Sequence, residues 1–213
     1  MNITHATHEE INGDRLVAIF ERQKELMEKY HDIEAKSGLL QTGDCPVNLN
    51  DKRGQARIKD FSWRVTEEVG EALDAITNKE HYEEELIDGL HFLTELTILS
   101  GYDLIASLKD NIENSGIDCL QYLYDLEHLP KSDAVSEYVC MLIEQLGMMC
   151  NCLKNKPWKQ TNMITDIDEF NARLNNVWRI YISMLSLSMT SDEIADTYLR
   201  KSQVNKFRQR SNY

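Results

Sequence analysis

Proline and glycine are scarce in this chain of 213 residues, with three prolines and nine glycines, and most of them fall between stretches of helical periodicity. No stretch of useful length alternates apolar and polar residues with a period of two, which excludes a sheet-based fold, and no internal repeat is visible. Apolar runs never approach the ~20 residues of a membrane span. The polar N-terminus lacks an apolar core and a positive flank, so no secretory signal is expected there. Basic residues are also in the minority, 23 Lys and Arg against 36 Asp and Glu, for a net charge of −13. A surface that tracks a nucleic-acid backbone is therefore not expected, although Lys201 to Arg210 is locally basic. The five cysteines, Cys45, Cys119, Cys140, Cys150 and Cys152, form no disulfide framework in a chain this long. The Cys150-x-Cys152 spacing does not suit zinc either. Free thiols in a reducing cytoplasm are the expectation.

What the chain does have is helical periodicity interrupted by cap and turn residues. A first helix is predicted over about 9–35, with Leu16, Ile19, Phe20, Leu26 and Met27 as its apolar stripe. Residues 37–54, with Gly38, Gly43, Pro46 and Gly54, read as a long loop, and a loop of that length is usually functional or mobile. A second helix is expected over 55–76 and a third over 80–100, stopped by Gly101. Asp103 is a candidate cap for a short helix to Ser115, ended by Gly116. The stretch 117–131 has no clear pattern before Pro130. Ser132 or Asp133 should cap a helix running to Leu153, and Pro157 should break the chain. A long helix is predicted over 166–189, and Thr190-Ser191-Asp192-Glu193 should cap a last one that ends before Ser211. The fold class is all-α: a helical bundle in a single domain over 1–213, with 117–160 a candidate helical insertion or subdomain.

Two acidic clusters stand out, Glu67-Glu68-x-x-Glu71 and Glu83-Glu84-Glu85-x-x-Asp88. Residues three apart share a helix face, so Glu68 with Glu71 and Glu85 with Asp88 would each project to one side. The break at Asn78-Lys79 suits two antiparallel helices facing each other. Core positions Val65, Val69, Leu73 and Ile76 on one helix and Leu86, Leu90 and Leu93 on the other put these carboxylates at the edge of the buried face. Carboxylates there must pair with bases or bind metal, because an unpaired buried charge is too costly. Arg64 is the one base on these two helices placed to neutralise them, which favours metal. An all-oxygen ligand set favours Mg2+, with Mn2+ as an alternative. The rival reading is a solvated acidic face.

The stretch Trp63-Arg-Val-Thr-Glu67-Glu68-Val-Gly-Glu71, followed by Glu85-Leu-Ile-Asp88-Gly-Leu-His91-Phe92, resembles the all-α nucleoside triphosphate pyrophosphatase superfamily. The signature of that superfamily is E-E-x-x-E on one helix and E-x-x-D on the next. It includes the MazG-type enzymes and the dimeric dUTPases. Asp88-Gly-Leu-His91-Phe92 is closer to the dimeric dUTPases and their phage dCTP/dUTP relatives. The C-terminal run Lys201-x-x-x-Asn205-x-x-Arg208-Gln209-x-x-Asn212-Tyr213 is similar to that branch's last motif, K-x-x-x-N-x-x-R-Q-x-x-G-Y. Two departures are visible. Asn212 stands where the family has Gly, and Met27 stands where an Asn follows the nucleotide-contacting Gln, here Gln23.

The resemblance implies a homodimeric, metal-dependent hydrolase that takes a deoxynucleoside triphosphate, dUTP first and dCTP second, to monophosphate and pyrophosphate. Glu68, Glu71, Glu85 and Asp88 would hold Mg2+, with Glu68 and Glu71 catalytic and Glu68 the group that activates water. Lys201, Asn205 and Arg208 share one helix face and would meet phosphate together with Arg64. Gln23, Trp63, His91 and Phe92 are candidates for the base pocket, and Gln209 and Tyr213 for a tail that closes over the nucleotide. No membrane and no nucleic-acid polymer are expected as partners. Other classes remain open at this point: a MazG-type enzyme of different or broader nucleotide choice, a non-enzymatic helical interaction module, and a di-iron bundle. The last needs Glu-x-x-His on two helices, and only Asp88-x-x-His91 comes near it.

Overall fold

In the computed structural model, residues 3–113, 115–126, 134–156 and 158–211 are described. Among them are a 3-10 turn at Ile3–His5 and eight α-helices, with no strand. The first helix, α1 (Arg15–Ser37), begins later than the expected start near Glu9. Gly13 has a positive φ of 104°, and the Asp14 carboxylate then accepts from the amides of Leu16 and Val17 at 2.9 and 3.2 Å. That local device fixes the start whatever the sequence pattern upstream. Gly38, at φ 74°, ends the helix in the left-handed conformation that glycine adopts without strain.

The following loop closes sooner than expected, because α2 (Lys52–Asn78) starts at its Asp51 cap and takes Gly54 into its first turn. A Cβ on Gly54 would lie 2.3 Å from the Asn48 carbonyl oxygen. The glycine there allows a close approach of loop to helix and does not mark a loop. At the far end Lys79 adopts φ 61°, and α3 (Glu83–Ser100) returns antiparallel to α2. The α2 stripe also differs from the expected one. Val65 and Val69 are buried, but Ala72 and Ala75 continue the buried face while Leu73 is half-buried and Ile76 exposed. Small alanines there bring α2 close to α3.

Helix α3 is the spine. Leu86, Leu90, Leu93, Leu96 and Leu99 are fully buried, as are Ile87, Thr94 and Thr97. It packs against α1 and α2, and against α7 (Ile167–Leu185) and α8 (Ser191–Arg210). From α7, Trp178 Nε1 donates to Thr97 Oγ1 at 2.8 Å and Tyr181 OH to the Leu86 carbonyl at 2.8 Å. The apolar sheath around α3 supplies the dominant stabilising term, about 1.5–3 kcal/mol per fully buried large side chain. Asp103 caps α4 (Leu104–Ile112) as expected, though the helix ends before Ser115. Asp118 caps a short α5 (Cys119–Tyr124) in the stretch that carried no pattern. Helix α6 (Val135–Cys152) packs on α7 and α2. Its expected caps, Ser132 and Asp133, and the boundaries Pro130 and Pro157 lie outside the described residues. Leu120, Leu123, Leu142, Leu146 and Met149 of α5 and α6 join the same buried cluster as α1–α3. Asp166 caps α7, which stops at Leu185, four residues short of the prediction, where 186–188 form a turn. The capping box of Thr190 and Glu193 opens α8 as the sequence indicates.

Candidate functional site

Helices α2 and α3 bring Glu68, Glu85 and Asp88 together, each with a carboxylate oxygen within 4.8 Å of the others. Gly89 makes this closeness sterically feasible. A Cβ there would lie 2.1 Å from Tyr181 OH and 3.2 Å from the Glu68 Cβ. Burial raises the pKa values of all three acids. Burial, then repulsion from Asp88, Glu71 and Glu85, pushes Glu68 up to about 7. Glu85 is raised by burial and by Asp88. Burial also raises Asp88, against the opposing pull of Lys201. Glu71 is exposed and outside the tight trio, bordering an open acidic recess with Glu67, Glu80 and Glu85.

The cluster is not without a base. Lys201 reaches in from α8, is 6 % exposed, and places Nζ 2.7 Å from Glu84 Oε1 and 2.8 Å from Asp88 Oδ2. This base comes from α8 and is invisible from the spacing within α2 and α3, where Arg64 is the one candidate. Arg64 turns away from the trio to Glu34 and Asp60, at 3.3 and 2.9 Å. It also sits over the Phe61 and Phe92 rings at 4.6 and 5.7 Å.

A cleft of about 300 Å³ opens from the acidic trio between α1, α2, α3 and α8. Glu68, Asp88, Asn205 and Arg208 line it at one end of the α3 face, and Arg64 lines it beside Phe92 and Glu34. Gln23, Leu26, Tyr30, Phe92 and Glu95 line it further along, with His91 and Glu34. A buried polar network forms its floor. Gln23 Oε1 accepts from Tyr198 OH at 2.7 Å and pairs with His91 Nδ1 at 2.9 Å, and Gln23 Nε2 donates to Glu95 Oε2 at 2.9 Å. The His91 ring stacks on Tyr198 with centroids 3.8 Å apart. Burial, helped by Lys201, drives His91 down to about 3, so it is neutral at any working pH. Burial pushes Glu95 up to about 7, against the opposing effects of Gln23 and Arg57.

Of the residues named from sequence, Glu68, Asp88, Gln23, His91, Phe92, Asn205 and Arg208 meet at this cleft, with Glu85 in the trio and Lys201 bonded to it. Trp63 does not reach it. That side chain is 61 % exposed on the outer face of α2, where Nε1 donates to Glu67 Oε1 at 2.8 Å. Gln209 is buried and donates to the Leu26 carbonyl at 3.2 Å, pinning α8 to α1 and not facing a ligand. Tyr213 and Asn212 lie outside the described residues. The stretch from Ser202 is no loose tail, since Ser202 and Val204 are buried parts of α8. Sequence reasoning missed Glu95, Tyr30, Glu34 and Tyr198. Only Glu95 left a signal, one acid at i+4 from His91 and i+7 from Asp88 within an otherwise apolar run.

A family model described as dUTPase matches residues 72–213, about two thirds of the chain. The chain belongs to this family, the all-α dUTPases, and is thus of the nucleotide pyrophosphatase class of hydrolases. The match takes in Glu85, Asp88, His91, Phe92, Lys201, Asn205 and Arg208 but begins one residue after Glu71. No curated protein and no solved structure matches the chain. Three carboxylates with raised pKa values and a cation already drawn to them fit a hard divalent ion, as metal dependence in this class requires. No helix among the described residues is long and apolar enough to cross a membrane.

Proposed function

We propose that the protein hydrolyses a pyrimidine deoxynucleoside triphosphate, dUTP or dCTP, to the monophosphate and pyrophosphate with Mg2+ as cofactor. The observation that carries this reading is the joining of the Glu68–Glu85–Asp88 trio to a cleft lined by Arg64, Asn205 and Arg208. Glu68, Glu85 and Asp88 would hold the ion, with Glu71 at the edge of the site beside Glu85. When bound, Mg2+ supplies charge neutralisation for the triphosphate and for its transition state. Glu68, pushed up to about 7 chiefly by burial, orients a water and takes its proton as the oxygen attacks the α-phosphorus. The bond from the α-phosphorus to the bridging oxygen breaks, and pyrophosphate leaves toward Arg208 and Lys201. Charge-assisted contacts from these cations hold the departing group. Phe92, Leu26 and Gln23 enclose the base.

The trio contains no histidine ligand: His91 is bonded to Gln23, which removes support from a di-iron centre. We read the chain as one domain that acts as a homodimer. Exposed Ile143, Met148, Trp158, Met163 and Ile164 support this as apolar surface for a second copy to cover. Five free cysteines suit a cytoplasmic setting. Purified protein with Mg2+ should release pyrophosphate from dUTP or dCTP and lose that activity in excess chelator. Turnover that survives the chelator, or monophosphate without pyrophosphate, refutes the mechanism. Light scattering that reports a monomer at micromolar concentration refutes the dimer.

A further inference from the structure

Glu95 takes no part in the phosphate chemistry, yet it is an acid only 4 % exposed in the wall of the substrate cleft. It lies seven residues after Asp88 on α3, which at 1.5 Å per residue puts it roughly 10 Å along the helix from the metal-binding end. That span suits the reach from a nucleotide's α-phosphate across the sugar to the far edge of its base. Ligation in the acidic trio is beyond its reach. Its Oε2 holds Gln23 Nε2 at 2.9 Å, whereas Oε1 has only Arg57 Nη2 at 3.9 Å, too far for a hydrogen bond. Arg57 instead donates to Glu34 Oε2 at 2.8 Å. Oε1 is therefore open to the cleft that Glu95 lines, where a donor on a bound ligand can reach it.

The neighbouring amide has its orientation set by its partners. Gln23 Oε1 is taken by Tyr198 OH and His91, so its NH2 faces Glu95 and keeps a second N–H. With Glu95 ionised, the cleft end therefore presents an acceptor, Glu95 Oε1, next to a donor, Gln23 Nε2. Cytosine carries the complementary pair, an exocyclic N4 amino donor beside the N3 acceptor. Uracil carries the reverse, O4 and N3–H, and would set oxygen against carboxylate and N–H against N–H. We propose that Glu95, oriented by Gln23, is the specificity-determining residue of the cleft, and that it selects the cytosine nucleotide over the uracil nucleotide.

The proposal rests on the hydrolase reading above and sharpens its substrate. Adenine shares the amino-beside-nitrogen pattern, but a cleft of about 300 Å³ walled by Leu26 and Phe92 suits one ring. Wild-type protein with Mg2+ and dCTP, dUTP or dATP tests it through kcat/KM. The expected order is dCTP over dUTP by about 100-fold, because a site built to pair with a substrate N–H strongly rejects its isostere. Glu95→Gln should shrink that ratio to within about tenfold, since a neutral amide can turn either face to the base. A wild-type preference for dUTP or dATP overturns the proposal, as does an unchanged ratio in the variant. Binding of dCMP and dUMP to the wild-type protein, measured by calorimetry, separates the two readings. If no triphosphate is cleaved but dCMP binds at least tenfold tighter than dUMP, the hydrolase reading fails and the role of Glu95 stands. Equal or undetected binding of the two monophosphates overturns it.

Discussion

Replacing Lys201 by Met should make Mg2+ bind more tightly while making the metal-free protein less stable. The ammonium lies 2.8 Å from Asp88 and 2.7 Å from Glu84, so it is the cation that the acidic cluster holds before metal arrives. A divalent ion shared by Glu68, Glu85 and Asp88 would come within roughly 5 Å of that ammonium. Repulsion between charges of one and two at this distance is about 1.7 kcal/mol in a water-like dielectric and about 6.6 kcal/mol at an effective value of 20. The site opens on a solvated cleft, so the lower half of that range applies, about 2–3 kcal/mol. Each 1.4 kcal/mol is a factor of ten, which makes the expected gain in Mg2+ affinity about 30–100-fold.

The metal-free variant leaves Asp88 half-buried without its partner, at a cost of about 2–3 kcal/mol. For a chain of this size that is a fall of about 5–10 °C in Tm. Melting curves over a magnesium titration should therefore approach each other, with the variant starting lower and beginning to gain at about 30–100-fold less metal, after which both gain equally per decade. Turnover should fall at the same time, because Lys201 also holds phosphate in the proposed mechanism. Lys206→Met removes an amine paired with Glu25 at 2.5 Å and serves as the control. If the Lys201→Met and wild-type curves stay parallel, the lysine and the metal do not share the cluster and the placement of the ion is wrong.

Glu68→Gln, Glu85→Gln and Asp88→Asn should each lower turnover by a factor on the order of 100 or more, and the exposed Glu71→Gln by less; steady-state kinetics at saturating Mg2+ will rank them. Arg208→Ala should raise KM for the triphosphate about tenfold or more, with Arg208→Lys restoring only part, as expected where a planar fork is replaced by a point charge. Gly89→Ala should cost about 3 kcal/mol or more in denaturant unfolding, because its methyl would meet Tyr181 OH at 2.1 Å; Tyr181→Phe in the same chain should recover part of that loss. In chelator, the wild-type Tm should rise as pH falls from 8 to 5.5. The folded pKa of Glu68, about 7, lies above its unfolded value, so its contribution is complete below the unfolded pKa and is lost as pH rises through 7. Saturating Mg2+ should reverse the trend, since the ion needs the ionised carboxylates.

Features that depend on neighbours within one turn were legible in the sequence. The caps at Asp103, Asp166 and Thr190 bond to amides two or three residues on, and Glu85 with Asp88 share a face by spacing alone. Features that depend on another helix were not. Trp63 has the composition of a core or pocket residue, yet the buried face of α2 passes through Val65 and Val69 and leaves Trp63 outside. Gly54 looks like loop punctuation because a loop precedes it, and only the Asn48 carbonyl against it explains the glycine. The basic run after Ser202 reads as a tail, but charge pattern does not reveal that Ser202, Val204 and Gln209 point inward.

The same division runs through the site itself. Its phosphate end is built from charges whose number and spacing are fixed by what a triphosphate and a hard ion require, so short motifs carry it. Its base end is built from Gln23 on α1, Glu95 on α3 and Tyr198 on α8, residues that come together only through the packing of three helices. Each of these side chains has an unremarkable local context, and what distinguishes them is that the others satisfy all but a few of their donors and acceptors. Reading the base therefore requires counting the hydrogen-bonding capacity left over at the cleft wall, where Glu95 Oε1, the second N–H of Gln23 and the unpartnered His91 Nε2 remain. A chain with the same acidic motifs and an amide in place of Glu95 should keep its reaction and lose its choice of base, because Glu95 lies two turns of α3 from the trio. Reaction and base choice are in this sense separate inheritances along one helix, with Asp88 at one end and Glu95 two turns further on.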